Sequence, residues 1–226
     1  RPIPYARPEV TDADRAAVLA VLESDFLTTG PRIAAFEAAF AAHVGAPYAV
    51  AVSSGTAALH LCALALDVRP GQRWLVPTLT FVASANCIRY AGAEVELVDI
   101  DPHTLTLDLE AVARKLAEAP PGTYHGVVAV DFAGYPVPMH RLRSLADAYD
   151  LRLIEDSCHA PGGWFADEAG HRHRCGDGSL AELAIFSFHP VKHVAGGEGG
   201  MITTADEMLY RRLLKLRTHG ITRDRA

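Results

Sequence analysis

No apolar run in this 226-residue sequence approaches the ~20 residues needed to cross a bilayer. No signal peptide opens it either, because Arg1-Pro2-Ile3-Pro4 leads directly into a polar helix-start pattern. Cysteine is scarce: Cys62, Cys87, Cys158 and Cys175 form no CxxC pair, which argues against a disulfide framework. Basic charge is short as well. Lys and Arg total 21 against 27 Asp and Glu, a net charge of −6, so no basic stripe is available to neutralise nucleic-acid phosphates. The chain lacks a repeat of fixed period, a low-complexity tract, a Walker loop and a G-x-G-x-x-G fingerprint. The expectation is a chain of the reduced cytoplasm with no membrane and no nucleic-acid partner.

Half of the residues are apolar and 21% are charged, enough to bury one substantial core. Thr11-Asp12-Ala13-Asp14 predicts a helix start, followed by Ala17, Val18, Val21 and Leu22 at helical spacing. Leu27-Thr28-Thr29-Gly30-Pro31 breaks that helix, and a second runs from Arg32 to His43 with Phe36 and Phe40 on one face. Strands are predicted at Tyr48–Val52, Arg73–Val76, Val95–Val98, Gly126–Val130, Leu151–Ile154, Ala184–Phe188 and Gly200–Thr203. Helices are predicted at Ala57–Leu66, Ala83–Tyr90, Asp108–Ala117, Met139–Tyr149 and Ala205–Arg217, and Trp164 to Leu180 reads as a long charged loop. Apolar strands alternating with helices define an α/β fold, a mostly parallel sheet covered by helices on both faces. Residues 1–30 form an N-terminal segment and helix, and 31–226 one large domain. A charged ending at Thr222–Ala226 and the missing initiator Met suggest part of a longer protein.

In open α/β sheets ligands sit beyond the carboxyl ends of the strands, so the turns there carry the chemistry. Ser53-Ser54-Gly55-Thr56-Ala57-Ala58 follows one strand and opens a helix. It suits either a phosphate held by free N–H groups or a plain helix cap. Glu155-Asp156-Ser157-Cys158-His159-Ala160 places two acids after another strand, as a base, a metal ligand, a partner for a protonated heterocycle, or a cap. Phe186-Ser187-Phe188-His189-Pro190-Val191-Lys192-His193 precedes Gly196-Gly197-Glu198-Gly199-Gly200; its Lys192 is either a desolvated amine nucleophile or a solvated loop residue. Taken together these are a phosphate anchor, a pyridinium partner and a Schiff-base amine, the parts that a pyridoxal 5'-phosphate (PLP) site needs. No metal is expected. His171-Arg172-His173-Arg174-Cys175 matches no common zinc spacing, and adjacent Cys158 and His159 do not face each other.

With Thr80-Phe81-Val82-Ala83, Leu27–Pro31 and Arg217-Thr218-His219-Gly220-Ile221, these motifs resemble the DegT/StrS sugar-nucleotide aminotransferases from about Tyr5 to Asp224. The resemblance implies the large domain of PLP fold type I, with the family's small C-terminal domain missing. It implies that Lys192 forms the Schiff base and moves the proton, and that Asp156 pairs with the pyridine nitrogen. His159 would reach the ring hydroxyl, Phe81 would stack on the ring, and Gly55, Thr56 and Ser187 would hold the phosphate. Asp131-Phe132-Ala133-Gly134, His159 where many relatives carry Gln, and the sequence around Lys192 are most similar to the pseudaminic acid branch. That branch transfers an amino group from L-glutamate to C4 of a UDP-linked 4-keto-6-deoxy-N-acetyl-hexosamine, in a homodimer with a shared active site. Other dTDP- or UDP-keto-sugar aminotransferases remain open, as does a non-catalytic regulator on this fold. A related sugar dehydratase would lack the lysine.

Overall fold

The computed structural model describes residues 2–4 and 6–221; the Thr222–Ala226 ending lies outside them. Helix α1 (Asp12–Leu22) starts where Thr11 and Asp14 close a capping box, each side chain bonding the other's main-chain N–H. None of its residues is buried, so Val18 and Leu22 point their apolar side chains to the outside. Helix α2 (Pro31–Val44) begins on a proline and ends at left-handed Gly45 (φ +84°), burying Phe40, Ala41 and Val44.

The chain then alternates through β1 (Tyr48–Val52), α3 (Gly55–Ala65), β2 (Arg73–Pro77), α4 (Ala83–Tyr90), β3 (Glu94–Val98), α5 (Leu109–Glu118), β4 (Gly126–Val130), α6 (Met139–Tyr149) and β5 (Arg152–Asp156). A hairpin of β6 (Trp164–Ala166) and β7 (Arg172–Arg174) precedes β8 (Leu183–Ser187), β9 (Gly200–Thr204) and α7 (Glu207–Arg217). No helix among the described residues is long and apolar enough to cross a membrane.

Seven strands form one sheet in the order β1-β9-β8-β5-β4-β2-β3. Pairings among β3, β2, β4, β5 and β8 are parallel, whereas β9 is antiparallel to both β8 and β1. The sheet is therefore mostly parallel, with β9 the exception. Residues 188–199 contain no helix that could carry a parallel crossover, so the chain turns straight back. Six strands thus end at one edge of the sheet, and β9 begins there.

Alternation along the strands sorts the core onto two faces. Val50, Val76, Val128, Ile154, Ile185 and Ile202 pack on one face with residues of α3, α4 and α7. Leu75, Val127, Ala129 and Leu153 pack on the other with α5 and α6. Phe40, Phe186, Phe188 and Met201 extend that second layer beneath α2.

Three expectations change in ways that matter for the site. Strand β5 runs two residues further than Ile154, so Glu155 and Asp156 are its last residues and not part of the following turn. Their backbone groups continue the ladder with β4 and β8, which prolongs the strand despite the charges. Helix α3 starts at Gly55, with Ser54 as its cap, so Gly55 and Thr56 occupy its first two positions. The stretch 164–180, expected as a loop, contains the β6–β7 hairpin. Asp167 shapes its turn by accepting the Ala169 and His171 N–H groups at 3.0 and 2.8 Å. Phe165 of that hairpin is stacked between the rings of His140 and His173.

Candidate active site

Five chain segments meet at the carboxyl edge on the face that carries α3 and α4. Asp156, two residues beyond Ile154, lies on that face and is 5% exposed. Its carboxylate accepts the Ser84 hydroxyl at 2.7 Å and the Cys158 N–H at 3.2 Å. Ser84, fully buried in the first turn of α4, in turn receives the hydroxyl of Thr80 at 2.8 Å. Both partners are donors. Ser84 was not among the candidates from sequence. Its signal was its place in the turn after Thr80–Ala83, where a serine reads as ordinary helix start.

Ser187 ends β8 on the same face, two residues after Ile185, with α3 packed beside it. A Cβ on Gly55 would stand 2.9 Å from the Ser187 Cβ and 3.3 Å from the Cys158 sulfur, so only glycine lets the helix start come this close. Gly200 has the same role at the start of β9, where a Cβ would lie 2.6 Å from the Ser54 main chain. Ser54 caps α3 by accepting the Ala57 N–H at 3.1 Å. The Gly55 and Thr56 N–H groups lie ahead of the intrahelical ladder, and with the helix dipole they favour an anion. Thr56 is exposed and Gly55 buried.

Lys192 follows β8 in a turn closed by its own N–H on the His189 carbonyl at 2.8 Å. It is half-buried, and its Nζ lies 2.7 Å from Nε2 of His159. His159 Nδ1 accepts the Ala133 N–H at 3.2 Å, and the ring meets Phe132 edge-on. Burial and the neighbouring Lys192 push the His159 pKa below the usual histidine range. The structure therefore brings Gly55, Asp156, His159, Ser187 and Lys192 to one edge. Phe81 stands apart as a 69% exposed side chain at the start of α4, with a face free for a planar partner.

Glu155, one residue from Asp156, points to the opposite face. There it accepts the Gly176 N–H with both oxygens at 3.2 Å and lies among Asp131 and Cys175. Burial and the Asp131 charge push its pKa far above the carboxylate range. Of the two acids at this strand end, geometry leaves Asp156 to the site. The His/Arg segment at 171–174 is remote in character: both imidazoles lean on Asp167, at 3.2 and 3.3 Å.

The residues present fit PLP. A glycine-lined helix start suits a phosphate, a buried carboxylate with donors around it suits a pyridinium, and a half-buried amine stands beside His159. Such a sheet with such an edge is the architecture of the PLP-dependent transferases. The DegT/DnrJ/EryC1/StrS aminotransferase family model matches residues 8–226, and the chain belongs to that family. Structures in this family have been solved in PLP and PMP forms.

Among solved structures, DesV of S. venezuelae is 36% identical with a TM-score of 0.82, covering 93% of this chain and 54% of its own. DesI, crystallised with its TDP-sugar product, is 34% identical with a TM-score of 0.83, covering 97% and 54%. Helicobacter pylori PseC, an aminotransferase of pseudaminic acid biosynthesis, is 27% identical with a TM-score of 0.85, covering 98% and 57%. The chain thus spans about half the length of the solved relatives that it matches.

Proposed function

We propose that this chain is the cofactor-binding part of a PLP-dependent nucleotide-sugar aminotransferase, working as a cytoplasmic homodimer with a shared active site. The observation that supports it most is the convergence of Lys192, His159 and Asp156 on one face beside the start of α3. PLP, when bound, supplies an aldehyde for the lysine and a protonated ring that withdraws electrons from the reacting carbon. Asp156, held by Ser84, would pair with the ring nitrogen. The Gly55 and Thr56 N–H groups, with Ser187, would hold the phosphate, and Phe81 would pack against the ring. Lys192 would hold the aldehyde carbon and, when its amine is free, would be the positioned base that moves a proton at the substrate carbon.

The sequence contains three lysines, Lys115, Lys192 and Lys215. Lys115 is committed to Glu96 at 2.6 Å, and Lys215 lies exposed on α7. Borohydride reduction with PLP should therefore fix pyridoxyl on the peptide containing Lys192. Labelling confined to Lys115 or Lys215 would overturn the reading.

For the substrate, we favour transfer from L-glutamate to C4 of a UDP-4-keto-6-deoxy-N-acetyl-hexosamine, on the Asp131–Gly134 motif, His159 and the sequence around Lys192. DesI, crystallised with its TDP-sugar product and more identical than PseC, supports the alternative of a dTDP-linked keto sugar. Release of 2-oxoglutarate against a panel of UDP- and dTDP-linked keto sugars and simple keto acids separates the two. Activity with keto acids alone would remove the sugar reading.

A further inference from the structure

His159 makes its two hydrogen bonds with two different nitrogens, and the partner of one of them leaves no choice of proton position. A main-chain amide can only donate, so the bond from Ala133 requires a lone pair on Nδ1. A neutral imidazole then carries its proton on Nε2, the nitrogen 2.7 Å from Lys192 Nζ.

The amide is aimed by a turn that is built for it. Asp131, fully buried, accepts the Val137 N–H at 2.9 Å and the Ser157 hydroxyl at 2.7 Å, fastening both ends of the turn and the segment leading to His159. Its own N–H bonds the Asp156 carbonyl, and the Gly134 N–H closes back on the Asp131 carbonyl at 3.2 Å. Ala133 sits at φ +53°, a left-handed conformation unusual for a residue with a Cβ, and this turns its N–H toward the ring. Gly134 lies against the His159 carbonyl, where a Cβ would come within 3.0 Å.

We infer that Asp131 is a positioning residue which, through the Ala133 amide, locks His159 in the Nε2–H tautomer so that it presents a proton donor to the Lys192 end of the site. The groups facing His159 are Lys192, Asp156 and His193, and burial adds to the lock by disfavouring the doubly protonated ring. The use of that donor, toward the cofactor oxygen that the sequence argument assigned to His159, rests on the aminotransferase reading.

The test is two-bond 1H–15N correlation on the 15N-histidine protein without cofactor, with His159→Gln identifying the signal among the 11 histidines. At about pH 8, well above the ordinary histidine range, His159 should be Nε2–H by about tenfold or more, the preference that one main-chain hydrogen bond provides. Asp131→Asn should erode that preference toward a mixture. Gly134→Ala, on the half-exposed turn, should do the same by displacing the amide, and it keeps the measurement available if the buried substitution unfolds the chain. An Nδ1–H or imidazolium signal in the parent, or an unchanged Nε2–H signal in a folded variant, overturns the inference. Pyridoxyl trapped on Lys192 beside the wrong tautomer removes this inference alone. The expected tautomer with no trapping on Lys192 upholds it and removes the aminotransferase reading.

Discussion

Glu155 and Asp156 are adjacent, chemically near-identical and equally close to the end of one strand, yet they live in opposite surroundings. Asp156 faces hydroxyl and amide donors on the α3–α4 face. Glu155 faces a second acid in a fully buried layer, where burial and Asp131 keep it protonated, while Asp131 itself is pushed up to about 6. Strand alternation alone separates them. The lesson is that a pair of acids at a strand end is read by parity: the one in phase with the apolar residues under α3 belongs to the site, and its neighbour belongs to the scaffold.

The sharpest way to probe that contrast starts from the amine opposite Asp156. Lys192→Ala should lose turnover by roughly 10³-fold or more while retaining cofactor at the α3 start, measured as visible absorbance against single-turnover rate. Asp156→Asn should lower the rate on the order of 10²-fold, since its charge maintains ring protonation and one pK unit is about 1.4 kcal/mol. Glu155→Gln, one residue away, should leave the rate within a few-fold of the parent. Equal losses at 155 and 156 would erase the distinction.

Glu155→Gln should instead change stability against pH. Asp131 titrates at about 6 in the folded chain against 3.8 ordinarily, so between these values the folded state holds a proton that the unfolded chain has released. Stability from this group is therefore greatest below the window and falls as pH rises through it. Glu155, also raised, acts in the same direction. Exposed Asp67, lowered beside Arg212, has the opposite sign but is screened by solvent. Melting temperature followed from pH 4 to 7 should decline more steeply in the parent than in Glu155→Gln. An effect between those at Asp156 and Glu155 is expected at Ser84→Ala, which removes one donor to the Asp156 carboxylate. It should slow turnover about tenfold, the value of a hydrogen bond to a charged group, without releasing the cofactor.

Much of this layout was legible beforehand. The strands after which Ser54, Asp156 and Lys192 occur read as short apolar runs bounded by turn residues, and their alternation with helices implied the sheet. The direction of β9 was not legible: Gly-Met-Ile-Thr-Thr looks the same in either sense, and only the short return from β8 decides it. The hairpin at 164–174 was hidden because its strands are only three residues long and its inward residues, Phe165 and His173, make too short an alternating pattern. Ser84 and Ala133 were missed for different reasons. One is a common helix residue whose partner lies 72 positions away, and the other acts through its backbone.

Arg217, at the end of α7, has a role at the side of the sheet. β1 is the outermost strand, and a bare rim of this kind invites another chain to add itself as an eighth strand. At Ala51 both main-chain groups on that rim are taken: Glu37 of α2 receives the N–H at 2.8 Å, and Arg217 of α7 donates to the carbonyl at 3.0 Å while also pairing with Glu37. An ion pair stands where a neighbouring strand would bond. The same two side chains that tie α2 to α7 therefore block a further strand at Ala51 of this edge, and loss of Arg217 would open that carbonyl to cross-strand pairing.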